Sequence, residues 1–276
     1  MVQSVATKTC SNCGTPVESS FAHCPRCAQS THLHRFTLGH LAHDVFHAVT
    51  HADKSILKLA RDLAIRPGVV AYEYIIQGKR KKYFNPFTFL LLVLGFTLLM
   101  YSTFHPITKT LSMKPSQEQS RMLDMPEKRQ AYEAAMQRNK EVLAFSERQA
   151  KLVTVTAIPI LAFVFWLCFR KRGLNYAEHL VFNVLLMSII SLLGSLAIPI
   201  FEVLNISMLS TPSMILLYGS MIGYPALGYY QFFRFYKPIS IAGAVGVSLL
   251  AVFVYNLTTM LATIGYMAWG AVQLLK

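Results

Sequence analysis

The chain has 276 residues, 54% of them hydrophobic and only 14% charged, with a mean hydropathy of +0.41. A soluble domain carries about 25% charged residues, so this composition excludes an ordinary soluble protein and fits an integral membrane one. The net charge of +13 does not indicate a nucleic-acid partner: no basic, aromatic-interleaved domain is present, and membrane proteins carry cytoplasmic Lys and Arg for orientation.

First in chain order come two cysteine knuckles, "CSNCG" (10–14) and "CPRCA" (24–28). Two C-x2-C turns this close bring four thiolates around one tetrahedral ion, and the expected ligands are Cys10, Cys13, Cys24 and Cys27. Residues 1–30 are too few to bury a core, so the metal supplies the stability of this zinc ribbon. The expectation is one structural zinc per chain, because a four-cysteine shell leaves no open position for catalysis. Iron would fit the same shell, but the chain offers no redox-partner site. Gly14 gives the first knuckle its backbone freedom, whereas Ala28 holds the equivalent place in the second. No secretory signal precedes the knuckles, so the N-terminus is expected in the cytoplasm, where thiols stay reduced. Cys168, in an apolar run, reads as a small core filler.

Residues 37–85 read as amphipathic juxtamembrane helices ending in a basic anchor. The stretch "HLAHDVFHAVTH" (40–51) puts His40, His43, His47 and His51 on one helical arc of about 80°. Thr37 suits the N-cap, and Pro67 ends the helix. The arc continues into Lys54, Lys58 and Arg61, while Leu41, Val45, Val49, Ile56 and Leu59 fill the opposite face. A basic stripe opposite an apolar face suits a helix lying on the cytoplasmic leaflet, with the histidines solvated. The competing reading is a second metal site on His43, His47 and His51, whose i, i+4 spacings let imidazoles converge. Asp53 falls on the apolar side, and a buried carboxylate needs a partner.

Four cations, Lys79, Arg80, Lys81 and Lys82, then precede the aromatic pair Tyr83 and Phe84. They mark topology and offer a site for anionic lipid headgroups or phosphate. Residues 86–276 hold five apolar runs of span length, at 86–104, 152–169, 178–201, 213–232 and 239–262. The short connections at 79–82, 170–172 and 234–237 carry Lys and Arg, whereas 202–212 carries none. Counting positive charges over short loops puts the first three inside, the 106–151 loop outside and the C-terminus outside. Glu178 and His179 open the third span; ionisable residues at membrane depth mark functional sites, and the alternative for residues at a span edge is simple solvation. Gly219 and Gly223 form a G-x3-G pair that permits close helix packing. No nucleophile–base pair, phosphate loop or metalloprotease motif appears.

The knuckles, "THADK" (50–54), "RPG" (66–68), "GKRKKYFNPFTFL" (78–90) and "EHLVFN" (178–183) together resemble a bacterial family of zinc-ribbon membrane proteins, that of the "domain of unknown function 3667". The resemblance implies an inner-membrane location but no established activity. Its motif positions here are Asp53, Arg66, Pro67, Gly68, Gly78, Lys79, Arg80, Tyr83, Pro86, Glu178 and His179. The expected architecture is an all-α bundle of about five membrane helices with an N-terminal cytoplasmic ribbon. The expected function is non-enzymatic: the ribbon recruits a protein partner and the bundle anchors or senses. The alternative is transport of a small solute or lipid, with Asp53, Glu178 and His179 near a polar cavity.

Overall fold

The computed structural model describes residues 7–32, 35, 37, 55–106, 129–130, 136–137, 154–207 and 210–274, with side chains up to 265. The stripe of His40, His43, His47 and His51, its second-metal alternative, Asp53 and nearly all of the 106–151 loop lie outside the described residues.

Strands β1 (Thr7–Thr9) and β2 (Pro16–Glu18) pair antiparallel, Lys8 opposite Val17, and carry the first knuckle between them. Among the described residues the main helices that follow are α1 (Ser55–Ile65), α2 (Pro67–Ile75), α3 (Pro86–Phe104), α4 (Thr154–Arg172, ending in a 3-10 turn at Arg170–Arg172), α5 (Tyr176–Val203), α6 (Thr211–Tyr236) and α7 (Ile241–Leu274). Arg80–Lys82 forms a further 3-10 turn between α2 and α3.

Local chemistry sets the helix starts. Asn85 caps α3, its side chain accepting from Phe87 N and Thr88 N, with Pro86 in the first turn where no backbone donor is needed. Asn175 and Glu178 form a reciprocal capping box at the start of α5. The "NP" of 85–86 and the Asn175–Glu178 pair are thus helix-start devices.

Among the described residues, four segments are long and apolar enough to cross a membrane: Arg80–Phe104, Thr154–Arg172, Tyr176–Val203 and Ile241–Gly265. The remaining expected run, 213–232, forms the middle of α6. That helix has span length, but Tyr218, Tyr224, Tyr229, Tyr230 and Gln231 dilute its apolar character. Helix α5 is central: it packs on α3, α1, α2 and α6, while α6 also packs on α2 and α7. An aromatic cluster from α4 (Phe165, Phe169), α5 (Phe182) and α6 (Tyr229, Phe232, Phe233) fills one end of the bundle, with centroids 4.6–5.3 Å apart for the closest pairs.

Close helix packing through glycine is not at the expected G-x3-G pair among the described residues. A Cβ built on Gly219 or Gly223 meets nothing within 4 Å. On Gly68 it would lie 2.5 Å from Phe232 N and 2.6 Å from Gln231 Cβ, and closer still to the Gly228 carbonyl. Gly68 N also donates to Gln231 Oε1 at 3.1 Å. The "RPG" of the motif therefore lets α2 lie backbone-to-backbone against α6.

The basic connections converge at one end. Arg172 Nη1 donates to Lys237 O at 2.6 Å, Arg35 Nη2 donates to Gly173 O at 2.8 Å, and Lys81 N donates to Gln29 Oε1 at 3.0 Å. The ribbon sits at that same end.

Candidate metal centre and the polar cluster beside it

Both knuckles close with the same hydrogen bonds. In the first, Gly14 N donates to Cys10 O (2.9 Å) and Cys10 N to Thr15 O (2.9 Å). In the second, Ala28 N donates to Cys24 O (2.8 Å) and Cys24 N to Gln29 O (2.8 Å). Each turn needs a left-handed residue at its fifth position, met by Gly14 at φ +73 and by Ala28 at φ +54. An alanine there costs on the order of 1 kcal/mol, so the second knuckle bears a strain the first does not.

The sulfurs of Cys10 and Cys27 stand 3.7 Å apart, those of Cys13 and Cys24 3.6 Å apart, and all four lie within 4.8 Å of one another. Four thiolates held about 2.3 Å from a central ion occupy a tetrahedron with edges of roughly 3.8 Å. The donor set therefore fits a metal ion. Burial pushes the Cys10 thiol up to about 11, whereas the hydroxyl and backbone of Thr15 bring Cys13 down to about 6. The ribbon's own buried apolar set is only Cys10, Val17 and Cys24, too little to hold 26 described residues (7–32) together unaided.

A second group of polar residues lies in α1, α2 and the basic turn. Asp62, buried on α1, accepts from Arg66 Nη2 at 3.0 Å. Glu73 on α2 accepts from Lys82 Nζ and from Tyr83 Oη, both at 2.5 Å, with Lys79 Nζ 3.7 Å away. Of the four expected headgroup cations, Lys79 and Lys82 are thus engaged with Glu73, Arg80 is partly buried and Lys81 is exposed. Burial opposes ionisation of Glu73, but the bonds from Lys82 and Tyr83 and the charges of Lys82 and Lys79 outweigh it and hold the carboxyl below its ordinary 4.5. Stability from Glu73 is therefore complete above that value and is lost as pH falls through the lowered folded one. Glu73→Gln should flatten the decline of the thermal midpoint in detergent as pH falls below the ordinary 4.5; an unchanged slope there would show that Glu73 makes no such contribution.

Glu178 and His179 share one crevice but not one role. The Glu178 carboxylate accepts from Arg35 Nε at 2.8 Å, Arg35 Nη2 at 2.6 Å and Asn175 N at 2.8 Å. His179, 1% exposed, lies flat against Phe169, and its Nε2 has no hydrogen-bond partner among the described residues. Leu174, Phe182, Tyr229, Phe232 and Phe233 fill the rest of the crevice, leaving no room for a water molecule.

Sequence reasoning passed over Arg35, Glu73, Gln29 and Gln231, which make polar contacts between segments, and Asp62, which is buried against Arg66. Glu73 carried a signal: a lone acid in "GVVAYEYII", with lysines six and nine residues on, requires a cationic partner.

Residues 53–98 match the family model described as "Protein of unknown function (DUF3667)". That segment contains α1, the α2–α6 close approach through Gly68, the Glu73 cluster and the start of α3. No curated protein and no solved structure shows significant similarity to the chain.

Proposed function

We propose that this chain, whose residues 53–98 belong to the DUF3667 family, is a non-enzymatic adaptor or sensor of the bacterial inner membrane. Its ribbon holds one structural zinc ion and presents a cytoplasmic platform to a protein partner, while the helices anchor it. The observation that carries this reading is the four-sulfur cluster, whose 3.6 and 3.7 Å edges match a closed thiolate shell. When bound, the ion supplies folding stability to the ribbon. The ribbon turns Phe21 (46% exposed), Pro25 and Arg26 outward, and a protruding aromatic and an arginine are residue types that anchor interfaces.

The topology belongs to the same proposal. Basic connections gathered at the ribbon's end support a cytoplasmic N-terminus, and five crossings put the C-terminus outside. Lys81 then faces anionic headgroups. The filled crevice at Glu178 and His179 supports anchoring over transport.

The test compares cross-linked proteins co-purified with full-length wild type, Phe21→Ala and Cys24→Ser/Cys27→Ser from native membranes. The adaptor reading expects a partner enriched at least about tenfold with wild type, a difference of ~1.4 kcal/mol, and lost in both variants. An identical protein set in all three rejects it. In a Cys168→Ala background, cysteines placed at Ser116 and Lys276 should label only from outside, and labelling from the cytoplasm would reverse the topology.

A further inference from the structure

Gln29 follows the second knuckle directly and has two engagements. Its carbonyl accepts Cys24 N at 2.8 Å, closing the knuckle, and its side-chain Oε1 accepts Lys81 N at 3.0 Å. The residue is 3% exposed, so this is a buried junction between ribbon and membrane unit.

At the other side of the junction, Lys79 N donates to Glu73 O, Arg80 N to Gly78 O and Lys82 N to Lys79 O. These neighbouring amides find acceptors within 73–79. The acceptor for Lys81 comes from the ribbon. The same turn places Lys79 and Lys82 on Glu73. A second tie joins the two parts nearby, where Arg35 grips Glu178 through two hydrogen bonds and Gly173 O through a third.

We propose that Gln29 couples the ribbon's metal occupancy to the basic turn: a loaded ribbon clamps Arg80–Lys82, and an empty one releases it. This rests on the metal-holding ribbon proposed above. The physical reason is that the knuckle positioning Gln29 has too little apolar core to persist without its ion. Once that knuckle opens, the Lys81 amide loses its protein acceptor and the turn loses its restraint. The membrane unit thereby reads the state of the ribbon through one side-chain amide.

Hydrogen exchange by mass spectrometry on the full-length protein in lipid nanodiscs tests this, with metal content measured on the same samples. Stripping the metal with a chelator should speed exchange of the peptide covering 79–83 at least tenfold, while peptides from the middle of α5 (184–198), away from the Arg35 tie, stay unchanged. Gln29→Leu should produce the same acceleration with the metal retained, and Gln29→Glu, which keeps an acceptor oxygen, should restore slow exchange. Removal of the metal with no change at 79–83 overturns the coupling and leaves the metal site standing. A wild-type protein that carries no metal as purified, and exchanges at 79–83 like its Cys10→Ser/Cys13→Ser variant, overturns the coupling and the metal reading together.

Discussion

Gly68→Ala is expected to destabilise the membrane unit at or beyond the upper end of the ~1–3 kcal/mol usual for overpacking. The added methyl would meet Phe232 N at 2.5 Å and the Gly228 carbonyl closer still. Both are backbone atoms of a helix held on its other sides by α5 and α7. Neither can rotate away, so α2 and α6 must separate. Separation would also break the bond from Gly68 N to Gln231 Oε1 and the edge-on contact of Tyr72 with Phe232. Gly219→Ala and Gly223→Ala place the same methyl in open space and should equal wild type or exceed it by up to about 1 kcal/mol, since alanine favours the helix. Thermal unfolding in one detergent checks all three. Equal midpoints for Gly68→Ala and Gly219→Ala would mean that α2 does not lie against α6 as described.

Cys10→Ser/Cys13→Ser is expected to unfold the ribbon while leaving the helices assembled. Structural zinc contributes about 10–16 kcal/mol to small four-ligand domains, and the ribbon has three buried apolar residues to set against that loss. Brief proteolysis should then cut within 7–32 at least about a hundredfold faster than in wild type, equivalent to ~2.7 kcal/mol of local protection. The thermal transition of the helices should persist, because their core lies in α1 to α7. A ribbon that resists protease as well as wild type would show that it folds without its thiolates.

Features built from contiguous residues were legible in the sequence. The knuckle spacing identified the four sulfurs that gather in space, and the apolar runs identified the helices. Features built across helices were not. Periodicity put Ile56 and Leu59 on the apolar face of the first amphipathic helix; in α1, Leu59, Leu63 and Asp62 are buried, while Leu57 and Ile65 are 78% and 66% exposed. Asp62 can turn inward because Arg66, one turn on, supplies its counter-charge, and helical angle alone does not encode that partner. The G-x3-G rule fails for a similar reason: it scans one helix for small residues, whereas the close approach pairs Gly68 of α2 with Gly228 of α6, 160 positions apart. Glu178 was legible as a polar residue at a span boundary, but its partner Arg35 lies 143 positions away with no local signal.

The central claim is that Cys10, Cys13, Cys24 and Cys27 together hold one metal ion. The most direct measurement is the zinc content of full-length protein purified under reducing, chelator-free conditions, beside its Cys24→Ser/Cys27→Ser variant. The account predicts close to one zinc per chain in the wild type, as a closed four-thiolate shell requires, and essentially none in the variant. The same metal content in both, or none in either, would contradict it.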